Sequence, residues 1–344
     1  MDSVASKDRE KAVTQADWLV RAWVMAARYK FSCFLGEQPS ELVPRRALPV
    51  SASGTEAELI VNTSFRYQPG SELPDEIERL ALPMNGCLRG YPIAWVLDPR
   101  AGVWMPFWAR DEYAEVLPSL RPGQPPPSGL RPGVLQALAM AEVLVPSEYE
   151  TTWRVRRERT VQSARSLLQT PGYLILRDLI HPLQLGALRQ HYRALLAGGD
   201  VPKGDWIEER YGLHSEMMAS FLHLQLANLV SQSVGEPVKP SFVYMGSYRE
   251  GAALPRHTDR PQCEFSISFL VDYSPDPDGP CGWPLYLENP RTSEAIVAAD
   301  LAIGDGVFYR GREVFHHRHA LPEGHQATLL FLNYVREDFA GRLW

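Results

Sequence analysis

The chain has 344 residues, of which 45% are hydrophobic and 22% are charged, a composition typical of folded globular proteins. Its net charge of −6 and the absence of any run of five basic residues argue against a surface for nucleic acid. Four scattered cysteines without a CxxC pair exclude a disulfide scaffold and a zinc ribbon, and they favour reduced thiols in the cytoplasm. The apolar stretch from Trp18 to Phe34 is interrupted by basic residues, so we predict neither a secretion signal nor a membrane span.

A Pro/Gly-rich segment at residues 118–133 divides the chain, because such a composition continues neither a helix nor a central strand. We therefore predict a smaller N-terminal α+β unit at residues 1–117, with an amphipathic helix at 16–30 and a β-hairpin at 91–108. The first histidine of the chain is His181, so we expect this accessory unit to supply no metal ligand.

The remainder, residues 134–344, begins with helical periodicity and ends with strands. A short strand is predicted at residues 172–177 among four helices, at 134–145, 154–169, 182–196 and 216–234. Strand-like runs separated by Gly, Pro and Asp follow at residues 241–250, 264–273, 284–288, 295–298, 306–309, 314–319 and 327–335. Many short strands with turn signals predict a sandwich or a barrel, so we expect the α+β fold class.

Two histidine motifs in the strand-rich part indicate a metal site. His257 and Asp259 are two residues apart, so on an extended strand they point to the same side and can chelate one metal. A histidine-dense run follows at residues 316–319, and His-x-Asp with a distal histidine is the facial ligand set of non-haem Fe(II), which leaves coordination positions open. His316, His317 and His319 are all candidates for the distal ligand.

Several stretches around these motifs resemble the Fe(II)/2-oxoglutarate-dependent dioxygenases of the prolyl-hydroxylase-like type. The resemblance lies in Tyr248–Asp259, in Gly304–Gly311 before the histidine run, and in the Gly-x-x-x-Thr stretch Gly324–Thr328. It covers roughly residues 170–336. It implies a double-stranded β-helix, or jelly roll, with flanking helices within residues 134–344, and an iron site between the two sheets.

The resemblance also implies roles for individual residues. The spacing to Gly324 favours His316 as the distal ligand over the other two histidines, beside His257 and Asp259. Tyr248 lies where family members hydrogen-bond the cosubstrate. A carboxylate at position 259 leaves no vacated coordination site for halide, which favours hydroxylation over halogenation.

The cosubstrate anchor departs from the family pattern. Thr328 fits the second residue of the usual basic-x-Ser/Thr pair that binds 2-oxoglutarate, but Gln326 stands where the basic residue is expected. A buried carboxylate needs a cationic partner, and Arg318 is the best candidate because it shares a strand face with the favoured distal ligand. His325 and Arg256 are weaker candidates.

The resemblance implies an oxygenase that uses Fe(II), 2-oxoglutarate and O2 to hydroxylate or otherwise oxidise a small molecule, with an amino acid or a peptide as further candidates. Ser266 and Ser268 alternate with apolar residues and are expected to line the site. Because Gln326 replaces the expected basic residue, a cupin-like metal hydrolase or isomerase remains an alternative. A catalytically silent metal-binding sensor is the third alternative. Neither a nucleic acid nor a membrane is expected as a partner, and the sequence does not predict the oligomeric state.

Overall fold

The computed structural model describes residues 29–30, 32–38, 40–44, 59–70, 72–84, 88–204, 207, 209–292 and 295–343. The helix predicted at residues 16–30 lies outside the described residues except for its last two positions. Among the described residues, no helix combines the length and the apolar composition that crossing a bilayer would require.

Six α-helices and fifteen strands are present in the described part of the chain, with short 3₁₀ turns at Ser40–Leu42, Leu82–Met84 and Leu117–Ser119. The helices are α1 (Asp75–Glu78), α2 (Asp111–Val116), α3 (Pro132–Met140), α4 (Tyr149–Gln169), α5 (Pro182–Ala197) and α6 (Met217–Val234). The strands are β1 (Leu59–Val61), β2 (Arg66–Gln68), β3 (Ile93–Asp98), β4 (Val103–Trp108), β5 (Leu144–Pro146), β6 (Tyr173–Leu176), β7 (Arg210–His214), β8 (Val238–Tyr248), β9 (Leu254–His257), β10 (Phe265–Ser274), β11 (Leu285–Glu288), β12 (Val297–Ala299), β13 (Gly306–Tyr309), β14 (Phe315–Arg318) and β15 (Gln326–Arg336).

Two antiparallel sheets form the C-terminal part of the fold. The larger has six strands in the order β6-β13-β10-β15-β8-β7, and the smaller has four in the order β12-β11-β14-β9. The central strands β10 and β15 are buried along almost their whole length because both of their faces are covered. The prediction of a mixed fold with antiparallel sheets is confirmed, and the seven strands predicted after residue 240 are all present.

Helices α5 and α6 cover one face of the six-stranded sheet. Helix α6 packs on β8 and β15, while α5 packs on β10. The Glu216 side chain begins α6 by accepting hydrogen bonds from the amides of Met218 and Ala219, and Gly235 ends it with a φ of 86°. The start and the end predicted for this helix from the sequence are therefore confirmed.

The predicted hairpin is also present, as β3 and β4, and it packs against α6. Trp95 and Trp108 lie in the same buried cluster as residues of the two C-terminal sheets. Beyond the Pro/Gly-rich segment, β5 pairs with β1, and Leu138 of α3 shares a second buried cluster with Val61. The boundary at residues 118–133 stays a prediction, and the structure shows that residues 132–146, which follow this segment, pack with β1.

Thermolysin should cut the native protein between Leu117 and Gly133, most readily before Leu130, because residues 121–129 are largely exposed. The β1–β5 pairing, together with the buried cluster that Val61 shares with Leu138, should keep the two fragments together. Gel filtration after cleavage should therefore show one species, and separation of the fragments would contradict this packing.

Candidate metal centre

Two strands of the smaller sheet bring the predicted ligands together. Strands β9 and β14 pair with His257 directly opposite His316, and Asp259 follows β9 by two residues. Oδ1 of Asp259 lies 3.7 Å from Nε2 of His257 and 3.6 Å from Nε2 of His316. The three side chains each offer one ligand atom, and these atoms all lie within 4.8 Å of one another.

Hydrogen bonds to backbone carbonyls fix the orientation of both imidazoles. Nδ1 of His257 lies 2.8 Å from the carbonyl of Pro255, and Nδ1 of His316 lies 3.1 Å from the carbonyl of Val314. A carbonyl oxygen only accepts, so each Nδ1 carries the proton and each Nε2 presents a lone pair to the centre. Burial lowers the pKa of His316 to about 3, with the charge of His257 as a further cause, so His316 is in its neutral, metal-binding form.

Burial also dominates the chemistry of Asp259. It raises the pKa of this carboxyl to about 7, although hydrogen bonds from Ser266 and Tyr309 and the charge of Arg260 favour the carboxylate. Oγ of Ser266 lies 3.2 Å from Oδ2, while the backbone amide of Asp259 donates to the carbonyl of Gly311. A bound cation would supply the charge that these neighbours do not, and it would hold Asp259 ionised.

The other two candidate histidines lie apart from the centre. His317 stacks on Tyr286 with an interplanar angle of 14°, and His319 meets the same ring edge-on. Successive residues of a strand point to opposite faces, so His317 points away from the cavity that His316 faces. Of the three, the structure brings only His316 to His257 and Asp259.

A cavity of about 460 Å³ opens over the centre between the two sheets, and Arg318 lines it. Nη1 of Arg318 donates to the carbonyl of Trp283 at 2.5 Å, and the guanidinium lies 4.4 Å from the centroid of the Trp283 ring. No hydrogen-bond partner for the buried Nη2 is present among the described residues. Desolvation lowers the pKa of this guanidinium.

Tyr248 and Ser268 line the same cavity, as predicted for the face of a pocket. The Tyr248 hydroxyl accepts a hydrogen bond of 2.7 Å from Nη1 of Arg210, and its ring packs edge-on against Trp283. Because the hydroxyl accepts from a guanidinium, its own proton is free to be donated to another group.

Thr328 does not join these residues, which corrects the role predicted for it. In β15, Ala327 pairs with the cavity-lining Tyr248, so the neighbouring Thr328 points to the other face of the sheet. There it lines a separate depression together with Gln326 and Arg193. The departure from the family pattern at position 326 therefore concerns a residue that does not face the cavity.

The weaker candidates for an anion anchor are engaged elsewhere. Nδ1 of His325 lies 2.9 Å from the Tyr273 hydroxyl, and Arg256 forms an ion pair of 2.8 Å with Glu288. Neither His325 nor Arg256 lines the cavity. Arg318 remains the candidate that combines burial, an open donor and access to the centre.

Asn333 also lines the cavity, although no role was predicted for it, and its Oδ1 accepts a hydrogen bond of 2.8 Å from Ser266. A polar residue inside the apolar strand β15 was the available signal. No role was predicted for Arg210 or Arg260 either. Tertiary structure sets both the pairing of β7 with β8 and the course of the backbone after Asp259, and these bring the two arginines to the cavity.

No protein-family model matches the sequence, and no curated protein matches it. Solved structures do, among them the non-haem α-ketoglutarate-dependent epimerase SnoN from nogalamycin biosynthesis, with 14% identity, a TM-score of 0.43, and coverage of 52% of this chain and 84% of that one. A Pseudomonas putida prolyl-4-hydroxylase has 16% identity and a TM-score of 0.42, with 52% and 99% covered. A Trichoplax adhaerens prolyl hydroxylase, solved with a peptide fragment of hypoxia inducible factor, has 16% identity and a TM-score of 0.44, with 53% and 93% covered. Each of these three alignments covers about half of this chain.

His316→Ala should abolish stoichiometric binding of Fe(II) or Co(II), whereas His317→Ala should retain it, because only the first imidazole faces Asp259. Isothermal titration of the purified variants measures the difference, and His317→Ala is the matched control. Stoichiometric iron in a His257→Ala/Asp259→Ala double variant would show that the metal binds elsewhere.

Gly311→Ala should weaken metal binding at least about tenfold, because the added Cβ would overlap the Asp259 carboxylate and the Cys263 carbonyl oxygen. Gly279→Ala is the control, since nothing lies within 4 Å of a Cβ at that position. Metal titration and thermal unfolding should be measured on both variants. Unchanged metal affinity in Gly311→Ala would mean that Asp259 is not held as described.

Proposed function

We propose that this chain is an Fe(II)- and 2-oxoglutarate-dependent oxygenase that hydroxylates a small molecule, built on a jelly roll formed by its six- and four-stranded sheets. One observation carries the proposal: a two-histidine, one-carboxylate cluster shares a cavity with a buried arginine that has an open donor. The first group fits a metal, and the second fits the anion of a cosubstrate.

The ligand atoms suit Fe(II). Two neutral imidazole nitrogens and one carboxylate oxygen from His257, Asp259 and His316 would hold the metal on one side and leave the positions towards the cavity open. Bound Fe(II) with 2-oxoglutarate would supply the activation of dioxygen and the oxidation of a substrate C–H bond. The protein's own part is to orient the two imidazoles through the Pro255 and Val314 carbonyls, whereas the bound metal would hold Asp259 ionised.

Arg318 and Tyr248 fit the distal carboxylate of 2-oxoglutarate. A buried guanidinium presents a planar fork that matches a carboxylate, and Nη2 of Arg318 is available for it. The Tyr248 hydroxyl, which accepts from Arg210, can donate its proton to the same carboxylate. Both groups lie in the cavity that contains the metal cluster, so a chelating cosubstrate could reach the metal and the anchor together.

The alternative functions lack comparable support. A cupin-like hydrolase or isomerase was favoured by the uncharged Gln326, but this residue lies outside the cavity. A silent metal-binding sensor would need the ligand set but not a buried arginine with an open donor in the same cavity. Among the described residues, Cys33, Cys263 and Cys281 are buried and form no disulfide, which supports a reducing compartment such as the cytoplasm.

Succinate release tests the proposed function. The purified full chain should convert 2-oxoglutarate to succinate and carbon dioxide only when Fe(II) and O2 are present, and NMR of the reaction mixture measures this conversion. Turnover without a substrate is slow in such chemistry, so the assay should run for hours with ascorbate. No binding of 2-oxoglutarate to the Fe(II)-loaded chain would overturn the proposal.

Arg318→Ala should raise the apparent Michaelis constant for 2-oxoglutarate and leave the affinity for Fe(II) intact. Removing one member of a buried, charged hydrogen-bonded pair costs about 2–5 kcal/mol, or roughly thirty-fold to several-thousand-fold in affinity. Gln326→Ala is the control, because this residue is exposed and outside the cavity, and it should have little effect. An unchanged Michaelis constant for 2-oxoglutarate in Arg318→Ala would mean that another group binds its distal carboxylate.

A further inference from the structure

We propose that the substrate of this site is a planar aromatic acid whose carboxylate binds Arg260 and whose ring lies along an aromatic wall of the cavity. The wall consists of His214, Phe242, Tyr244 and Phe331. Binding of such an acid follows from the residues of the cavity alone, whereas its role as the oxidised substrate rests on the proposed function.

Three arginines line the cavity, and two of them, Arg318 and Arg260, lie beside different parts of β8. Arg318 contacts Trp283, which packs against Tyr248 at the end of β8. The guanidinium of Arg260 lies 4.2 Å from the centroid of the Phe242 ring, in the middle of β8. Phe242 and Tyr248 are six residues apart on one strand, or about 20 Å at roughly 3.3 Å per residue.

This backbone spacing sets the ring beside Arg260 apart from the anchor proposed for the cosubstrate. A five-carbon diacid would extend from Arg318 to the metal cluster and would leave the aromatic wall beside Arg260 open. The charge of Arg260 favours the Asp259 carboxylate and its side chain also interacts with Cys263, but among the described residues no ion pair joins Arg260 to a carboxylate. Because Arg260 is exposed, its guanidinium can also bind a second anion, and a carboxylate matches its fork.

The aromatic wall next to Arg260 is suited to bind a planar apolar group. Alternate residues of β8 put Phe242 and Tyr244 on the cavity face, and Phe331 of β15 stacks with Tyr244 at an interplanar angle of 25°. The His214 ring lies 4.7 Å from Tyr244, and His214 is exposed to solvent. Aromatic rings bury large areas against such surfaces and prefer offset or edge contacts with them.

Two glycines keep this wall open. A Cβ at Gly212 would overlap the Tyr244 hydroxyl, and one at Gly246 would lie 3.0 Å from the Phe331 ring. Glycine at both positions lets the Tyr244 ring lie across the sheet instead of rising into the cavity. The sheet surface between Arg210 and Phe242 is therefore a shallow, ring-lined floor that runs towards Arg260.

Titration with 2-naphthoate and with 2-naphthamide as probes tests the inference, with the Fe(II)-loaded full chain kept under argon. The acid should bind about tenfold more tightly than the neutral amide, since a hydrogen bond to a charged group is lost with the amide. Arg260→Gln should remove this preference, and Phe242→Leu should weaken both probes. Arg291→Gln, a change of an exposed arginine paired with Glu313 outside the cavity, should preserve the preference.

The titrations should be repeated with saturating 2-oxoglutarate. The acid should still bind, because the two anions use different arginines, and competition between them would place the acid at Arg318 and overturn the inference. Equal affinities for acid and amide, or an unchanged preference in Arg260→Gln, would overturn it as well. Succinate release without a preference for the acid refutes only this inference, whereas the preference without any binding of 2-oxoglutarate refutes only the proposed oxygenase.

Discussion

The cost of burying Asp259 is the constraint on which the candidate centre depends. Its Oδ1 lies 3.7 Å and 3.6 Å from the Nε2 atoms of His257 and His316, and desolvation raises the pKa of the carboxyl to about 7. The hydrogen bond from Ser266 offsets only part of this cost. A divalent cation at the three ligand atoms would compensate the carboxylate charge directly, so the arrangement is more favourable with a metal than without one.

Burying the positive charge of Arg318 is also unfavourable. This residue is a buried guanidinium that no carboxylate pairs with among the described residues, and it is satisfied only by the Trp283 carbonyl and ring. Residues two apart on a strand share a face, so β14 places this cation and His316 in one cavity. A ligand that is anionic at one end and chelates a metal at the other would relieve both costs at once.

Features that depend on the local residue pattern could be predicted from the sequence. The positions of side chains that depend on strand pairing could not. The spacing of His257 and Asp259 predicted two of the clustered residues, the family resemblance favoured His316 as the third, and the short strands with their turns predicted the sheets. Thr328 was assigned to the wrong face, because one residue of register exchanges the two faces of a strand, and the pairing of Ala327 with Tyr248 sets that register. Arg260 could not be assigned from the sequence, since its neighbour Phe242 comes from a distant strand.

The N-terminal hairpin supports the centre through α6, although it contributes no ligand. The Gln225 side chain of α6 accepts a hydrogen bond of 2.6 Å from the backbone amide of Trp104 in β4. Two residues earlier in the same helix, Nε2 of the buried His223 donates to the carbonyl of Asn333 in β15 at 2.6 Å. The side chain of Asn333 in turn accepts from Ser266, whose hydroxyl also lies beside Asp259. Hydrogen bonds on either side of one turn of α6 thus connect the hairpin to the strand that contacts the carboxylate's neighbour, which gives the N-terminal part of the chain a structural role at the site.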